Sequence, residues 1–484
     1  VEPSSGVAAF VAAHSRGPTT PKYIESWSQY LQYFGGFGAA TEFLPYAVHQ
    51  YFSNGGRQAW VVRAAGPAAT VATRSLNDAT NPTLRVDAAN PGAWAGGASG
   101  IYVEVAHVGA DRFNLIVRYG GAADQYIVER WLDLSMVDSD GRYVENVINS
   151  PSTGSAFITV TDLDSATPVG TDFNRPALLT PTALTGGTDP AQTATELTAA
   201  LNALDTVEGP LTINMPGVTS AAGALHASMQ DTLLSYCSTR GDCFAVLDPP
   251  ENETVANIQT QASGRNSAFG ALYYPWLYFS DPASSSQGAS RKLPPGGAVV
   301  GQYVATDSIR GVHKAPAGIA NRIAGAMGVE LRLTNAELDS LNLANVNAIR
   351  HIPGVGVAIM GARTLRATSS DRYVSVRRTL NFIRKSLVDN TRWAVFEPND
   401  QVLWSGLNTN ITQFLLSMWQ RGALRGGSAD EAFYVKCDAE NNTPQSIASG
   451  QVNIEIGVAL QFPAEFVVIR IGQWEGGSTA TVTV

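Results

Sequence analysis

The sequence predicts a multidomain α/β protein: a core of alternating helices and buried strands, a β-rich insertion, and strand-forming segments at both ends. Three observations carry this. The chain has 484 residues, more than one ordinary hydrophobic core accommodates, so two to four domains are expected. Between about residues 66 and 190 the pattern changes to short β-branched runs cut by Gly, Asn, Asp and Pro. On either side of that region helical periodicity alternates with apolar strands, the signature of an α/β layer.

In chain order, Val7 to Ala13 is an apolar run ended by the turn-like residues 15–18, which suits a buried strand. Ser26 reads as the N-cap of a helix carrying Trp27, Tyr30, Leu31 and Phe34 on one face, stopped by Gly35 and Gly36. A second helix from Leu44 to Ser53 leads through a glycine turn at 54–57 to a strand at 59–64. Runs at 101–108, 113–119, 126–131 and 156–163 read as the strands of the insertion. After the turn at 184–190 helical spacing returns, interleaved with strand-like 243–248 and 271–279. Tyr373, Val376, Leu380, Ile383 and Leu387 keep a 3,4,3,4 spacing over a helix from Tyr373 to Val388. Leu403, Leu407, Ile411, Phe414, Leu415 and Met418 mark a second helix from about Asn399 to Arg421, ended by Gly422. Strands at 432–437, 451–460 and 465–474 finish the chain.

Composition excludes several classes of function. With 15% charged residues, a net charge of −9 and a pI near 5.2, the chain lacks the basic footprint of a nucleic-acid binder. No apolar run is long enough to span a bilayer, and no signal-peptide succession is present. Cys237, Cys243 and Cys437 have neither the number nor the spacing of a disulfide framework or a zinc site, so buried thiols are expected. The chain opens on Val1, which predicts that part of the encoded N-terminus precedes it.

Catalytic signatures are missing. There is no phosphate loop, zinc helix, nucleophile elbow or CxxC pair. The run 354–361 begins like a dinucleotide-binding turn, but its third glycine is displaced and Asp371 stands too close to serve the ribose. Glycines at 35–38 follow a helix and read as its terminator. His313 beside Lys314 could form a proton-transfer pair, yet no nucleophile converges on them in the pattern, and a packed loop is the favoured reading. The Arg-Gly-Asp at 240–242, just ahead of a buried strand, is read as a chance tripeptide. One electrostatic feature stands out: from Arg350 to Arg425 ten Arg and one Lys face four acids, a local balance of +7 inside an acidic chain. This predicts a basic face suited to an acidic partner.

The runs 372–387, 391–404, 431–438 and 455–471, in that order, resemble the tail sheath family of contractile phages and related injection systems, a likeness that extends upstream through 310–317, 271–282, 244–250 and 46–64. The resemblance implies a structural, non-enzymatic subunit without cofactor or metal, forming stacked hexameric rings around an inner tail tube protein. Contraction would drive that tube through a cell envelope. It implies baseplate and tail terminator proteins as further partners, no direct contact with nucleic acid, no membrane insertion, and a place in a virion tail assembled in the host bacterial cytoplasm. On this basis residues 1–20 form an N-terminal arm, 21–65 the first part of the core, 66–190 an outward-facing insertion, 191–345 the second α/β part, 346–464 a tube-facing α/β domain, and 465–484 a C-terminal arm. Arms in this family add strands to neighbouring subunits, which singles out Val7, Ala9 and Val11 at one end and Phe466, Val468, Arg470 and Gly472 at the other. Arg377, Arg378, Arg384 and Lys385 become the expected tube contacts. The long extended lead usual in these proteins is missing ahead of Val7.

Overall fold

Seven consecutive small or branched apolar residues form strand β1 (Val7–Ala13), and the core is arranged about it. The computed structural model describes residues 6–38, 41–78, 81–165, 174–218, 224–284, 286, 288–367 and 371–465. β1 is followed by β2 (Lys22–Ile24), α1 (Trp27–Phe34), α2 (Leu44–Ser53) and β3 (Gln58–Ala64). The Ser26 side chain accepts from the Gln29 N–H at 3.3 Å, and Gly35 at φ 83° ends α1, so both helix signals act as expected.

The insertion then builds β4 (Thr70–Asn77), β5 (Pro82–Ala88), β6 (Ile101–Val108), β7 (Arg112–Tyr119), β8 (Ile127–Leu134), the short α3 (Val144–Ile148), β9 (Ile158–Asp162), β10 (Leu179–Ala183) and β11 (Thr185–Thr188). These strands form two four-stranded sheets, ordered β10-β6-β7-β8 and β11-β4-β5-β9. Period-2 alternation sends Val103, Val105, Leu115 and Val117 from one sheet and Leu84, Val86 and Ile158 from the other into a core that belongs to the insertion alone.

The chain re-enters the core with α4 (Ala194–Asn202), β12 (Leu211–Asn214), α5 (Ala224–Arg240), β13 (Phe244–Leu247), α6 (Val255–Ser263), β14 (Gly270–Tyr274), β15 (Leu277–Ser280), β16 (Ser290–Leu293), α7 (Gly296–Arg310), β17 (Ala326–Val329), α8 (Asn335–Leu343), β18 (Val346–Ile352) and β19 (Gly356–Ile359). The core sheet runs β19-β18-β14-β13-β12-β1-β3-β2, and its six consecutive strands from β18 to β3 pair in parallel. Helices cover both faces. Ala8, Phe10 and Ala12 point to the layer containing α1, α2 and α7, while Ala9 and Val11 point to the layer containing α4, α5, α6 and α8. A strand buried on both faces needs an unbroken apolar run, which is what β1 has.

Three expectations are corrected here. Val7, Ala9 and Val11 are not free to pair with a neighbouring subunit, because β1 is hydrogen-bonded along both edges, to β3 over its whole length and to β12 from Val7 to Phe10. Residues 346–359 do not open the C-terminal domain either: β18 pairs with β14 and completes the core sheet. The predicted strand at 271–279 is two strands lying in different sheets, β14 and β15.

The C-terminal lobe comprises α9 (Val374–Thr391), α10 (Gln401–Gln420), α11 (Ala429–Ala432), β20 (Phe433–Lys436), α12 (Pro444–Ala448) and β21 (Glu455–Val458). Asp400 caps α10 by accepting from the N–H groups of Val402 and Leu403, and the predicted stripe packs inward: Leu403, Leu407, Ile411, Leu415 and Met418 are all buried. α9 packs on two sides. Phe382 and Ile383 join the lobe's apolar cluster, while Arg378, Thr379 and Asn381, which the spacing leaves off the stripe, are buried as well. Arg378 donates to both carboxylate oxygens of Asp307 on α7, at 3.0 and 2.5 Å, and Asn381 Nδ2 donates to the Cys243 carbonyl at 2.9 Å. The lobe is thereby tied to the core by polar contacts in a dry seam.

Removing one partner of a buried ion pair strands the other charge and costs about 3–5 kcal/mol. Asp307→Asn is therefore expected to lower stability in denaturant unfolding by that amount. Arg392→Ala, which breaks an exposed pair with Glu208 at 3.2 Å, changes stability by no more than about 1 kcal/mol.

Candidate functional site

Open parallel sheets bind ligands beyond the carboxyl ends of their strands, where the strand order reverses. Here the reversal lies between β1 and β12, and the protein's own side chains fill the β1 end. His14 follows β1, with Nδ1 2.9 Å from Glu42 Oε2 and Nε2 2.8 Å from the Phe34 carbonyl. Arg63, fully buried, donates to the carbonyls of His14 and Pro91 and forms an ion pair with Asp189 at the end of the insertion. The Arg16 guanidinium lies 4.0 Å from the Phe157 ring, 4.9 Å from Trp94 and 5.2 Å from Tyr119, all residues of the insertion. Burial pulls its pKa down to about 10, so it stays charged and contributes a cation–π anchor. Beside β13, Asp248 accepts from the Gly296 N–H at 2.6 Å at the start of α7. A Cβ on Gly296 would lie 2.2 Å from Asn214 Nδ2. No room for a phosphate is left at that helix N-terminus.

The remaining chemical candidates resolve into structural roles. Gly354 and Gly356 turn the antiparallel hairpin between β18 and β19, which is unlike a dinucleotide-binding strand-to-helix turn. Arg240 and Asp242 of the Arg-Gly-Asp pair with each other at 2.9 Å, and Arg240 also donates to the carbonyls of Leu204 and Gly209. His313 and Lys314 line a groove of about 540 Å³ between the core and residues 461–465. Burial first, then the charge of Arg310, lowers both of their pKa values, and Lys314 donates to the Ala315 carbonyl at 2.9 Å. Among the described residues no Ser, Thr, Cys or Asp lines that groove. The three cysteines are buried free thiols. Among the described residues no group of three or more His, Cys, Asp or Glu could hold a metal, and no helix is long and apolar enough to cross a membrane.

The basic stretch does not form the expected open face. Arg378 is buried against Asp307. Arg377 reaches Asp371 at 3.4 Å and lies 4.6 Å from the Phe269 ring, and Lys385 pairs with Asp389 at 3.1 Å. Arg384 is exposed but lies against Gly241 of the core, where a Cβ would meet its Nη1 at 1.9 Å. Most of this helix's positive charge balances carboxylates inside the chain, a use that sequence spacing could not reveal because Asp307 is 71 residues away.

Two surface features of the lobe remain. β20 and β21 form an isolated antiparallel ladder with no third strand among the described residues. Phe433, Val435, Ile456 and Val458 pack against the lobe cluster, and just beyond the ladder Leu424 bridges Leu460, with the Arg425 N–H donating to the Ala459 carbonyl at 2.7 Å. Between α9 and α10 the chain displays Trp393, Val395, Phe396 and Val402, with relative exposures of 46, 64, 103 and 79%. Phe396 has φ 69°, a conformation that costs a non-glycine residue about 1–3 kcal/mol. The tip thus holds four large apolar side chains in solvent on a strained turn. The sequence reading passed over it, because an unpatterned apolar run is indistinguishable from core.

The sequence matches the family model of the phage tail sheath protein central domain over residues 191–365 and that of the phage tail sheath C-terminal domain over residues 367–473. The chain belongs to the phage tail sheath family. The tail sheath protein of Vibrio phage KVP40 is 26% identical over 253 residues, covering 47% of this chain and 36% of that one. That of Enterobacteria phage T4 is 24% identical over 240 residues, covering 46% and 35%. The matched region thus amounts to little more than a third of the length of these sheath proteins. A putative prophage major tail sheath protein of Pseudomonas aeruginosa is 25% identical over 244 residues, 48% of this chain and 58% of that one. The fold of the sheath subunit is shared with the PVC sheath complex of an extracellular contractile injection system in its contracted state, at a TM-score of 0.61 and 20% identity over 98% of this chain and 93% of that one. It is also shared with a sheath tail protein from Listeria innocua, at 0.62 and 14% over 91% and 90%. Within the sheath family the boundary between the two matched domains falls between β19 and α9, in agreement with the end of the core sheet.

The His14–Glu42 contact gives a test of the filled crevice. Burial alone would raise the Glu42 pKa, but the hydrogen bond and charge of His14 and the Ser15 N–H bring it below the ordinary carboxylate value of 4.5. A carboxylate with a depressed folded pKa contributes stability that is present above its unfolded pKa and lost as pH falls through the folded one. Thermal unfolding from pH 5 down to pH 3 should therefore show a steeper loss in the native protein than in Glu42→Gln.

Proposed function

We propose that this chain is the subunit of a contractile sheath, assembling as stacked hexameric rings around an inner tube and shortening to drive that tube through a target envelope. The observation that carries the proposal is the β20–β21 ladder, which has no third strand among the described residues. A two-stranded ladder is marginal by itself, and unpaired backbone groups along its edges accept strands from other chains. The alternating apolar run at 466–474 begins just beyond Glu465. Its members Phe466, Val468, Arg470 and Gly472 lie outside the described residues and are the strand we assign to a neighbour's ladder. Links of this kind hold while the bodies they join reorient, so contraction requires a change of packing and no nucleotide.

Attachment to the tube passes to the apolar tip, with Arg377, Arg378 and Lys385 engaged internally. We assign Trp393, Val395, Phe396 and Val402 to this contact, the lobe facing inward and the insertion outward. Baseplate and tail terminator proteins would meet the first and last rings, in a tail assembled in the bacterial cytoplasm. A bacterial injection or secretion particle is the second reading, supported by the fold shared with the PVC sheath complex over 98% of this chain.

Negative-stain electron microscopy of the full chain is expected to show six-fold rings or hollow tubes. Deleting residues 466–484 should leave a folded subunit, judged by an unchanged thermal transition, that makes no tubes. Tubes of undiminished length would refute the strand exchange. Tube binding is expected to fall at least tenfold in Phe396→Asp and to vary little between 50 and 500 mM salt, as an apolar contact should. Strong salt dependence, with binding insensitive to Phe396, would return the contact to the arginines.

A further inference from the structure

We propose that a pocket between α2 and the small sheet of β15, β16 and β17 binds a neutral aromatic carboxamide, a single six-membered ring carrying a primary amide, with Gln50 as the group that recognises it. The pocket has a volume of about 190 Å³. Its floor is made by the buried side chains of Tyr46, Gln50, Phe279 and Leu293, and its rim by exposed residues that include Ser53, Pro282 and Gly325. Tyr46, His49, Gln50 and Ser53 follow the i, i+3, i+4, i+7 spacing of one helix face, so α2 turns all four toward this space.

Gln50 is out of balance with the rest of the floor. It is 4% exposed, and neither Oε1 nor Nε2 has a hydrogen-bond partner in the chain. A buried amide left in this way has given up its hydration with nothing in exchange, an arrangement that folded proteins rarely retain. The walls around it are fixed. Asn54 Nδ2 donates to the Gln50 carbonyl at 2.9 Å, and Asn54 Oδ1 accepts from the Ala324 N–H of the rim at 2.8 Å. Arg291 Nη1 donates to the Tyr46 hydroxyl at 2.6 Å, which ties α2 to β16. The space is therefore preformed, and a ligand entering it has little to order.

Three properties define the class of ligand. Size comes first: a dry cavity of about 150 Å³ accepts a benzene ring, so 190 Å³ takes one ring with a small substituent, below the roughly 300 Å³ at which drug-sized pockets begin. Charge comes second. Among the described residues no Asp, Glu, Lys or Arg lines the pocket, so an ion placed there would lose its hydration without a counter-charge. Hydrogen bonding comes third: the Gln50 amide offers a donor and an acceptor side by side, and its complement is a group that presents an acceptor and a donor in the same arrangement. A primary carboxamide does so. A peptide-like secondary amide does not, because its trans geometry points N–H and C=O in opposite directions. The rings of Tyr46, His49 and Phe279 in the wall suit a flat aromatic body.

Benzamide and N-methylbenzamide are titrated into the full chain and followed by saturation-transfer NMR. The expected result is saturable binding of benzamide, tighter than that of N-methylbenzamide by roughly tenfold or more, the loss of one buried hydrogen bond. Gln50→Met should erase that preference without lowering the melting temperature, since it removes an unpartnered polar group. Ser53→Trp, on the exposed rim, should block benzamide in a protein that melts as the native one does. If Gln50→Met fails to fold, the preference of the native protein and the Ser53→Trp variant decide. Equal binding of the two amides, or a preference that survives Gln50→Met, overturns the assignment to Gln50. Benzamide binding unchanged in Ser53→Trp lies elsewhere and overturns the site. No saturable binding up to the solubility of benzamide overturns the proposal and leaves the pocket to water.

Discussion

The pairing of β1 along both edges is the constraint on which the rest of the molecule depends. β3 precedes the insertion and β12 follows it, and among the described residues β1 is the only strand hydrogen-bonded to both. A chain leaving the core for more than a hundred residues must return to a sheet whose middle is already built. The first apolar run supplies that middle, and its register with Gln58–Ala64 on one side and Leu211–Asn214 on the other fixes where the two halves meet. Because β1 is buried on both faces, a one-residue slip would exchange the two helical layers, so register and layer assignment are specified together.

Buried arginines join what the sheet cannot. Arg16 enters the aromatic residues of the insertion, Arg63 closes on Asp189 where the insertion ends, and Arg378 meets Asp307 across the seam to the C-terminal lobe. Each sits where apolar packing alone would let two bodies slide, and each has a directional partner. Guanidinium suits this task because it remains charged when buried and offers several donors in a fixed plane. The same economy explains the surface. With only 15% of residues charged, charges committed to joints are unavailable to a basic face, and Arg363 and Arg378 of the C-terminal stretch are spent in this way, while Arg384, Arg392, Arg421 and Arg425 remain exposed.

Local patterns were legible and distant partners were not. The insertion strands, the caps of α1 and α10, and the stripe of α10 follow from residues within a turn or two of one another, and they lie where the sequence puts them. The run at 271–279 defeats the pattern, since an apolar stretch does not reveal that its halves enter different sheets. Val7, Ala9 and Val11 show the limit most clearly. Strand-forming character near a terminus fits a mobile arm and a central strand equally well, and only the partners at 58–64 and 211–214 decide between them. Arg378 failed for the same reason: off the stripe of its own helix, it faces a carboxylate on α7.

These contrasts bear on how such a subunit can serve in a moving assembly. Strength is concentrated inside the chain, where strands pair on both edges and charges are matched in dry seams. Incompleteness is concentrated in the C-terminal lobe, where a two-stranded ladder has no third strand among the described residues and a strained turn holds Phe396 in solvent. A subunit that must keep its neighbours while changing its angle to them benefits from that division, because backbone hydrogen bonds to an exchanged strand tolerate rotation of the bodies they link. Apolar contact at the tip tolerates sliding for a related reason: it is non-directional, and its strength follows the area covered rather than the alignment of particular atoms. A row of arginines matched to acidic partners would instead favour a single register. In the contact proposed for this lobe, apolar area at the tip would leave the register free, while Arg377 and Arg378 stay engaged within the chain.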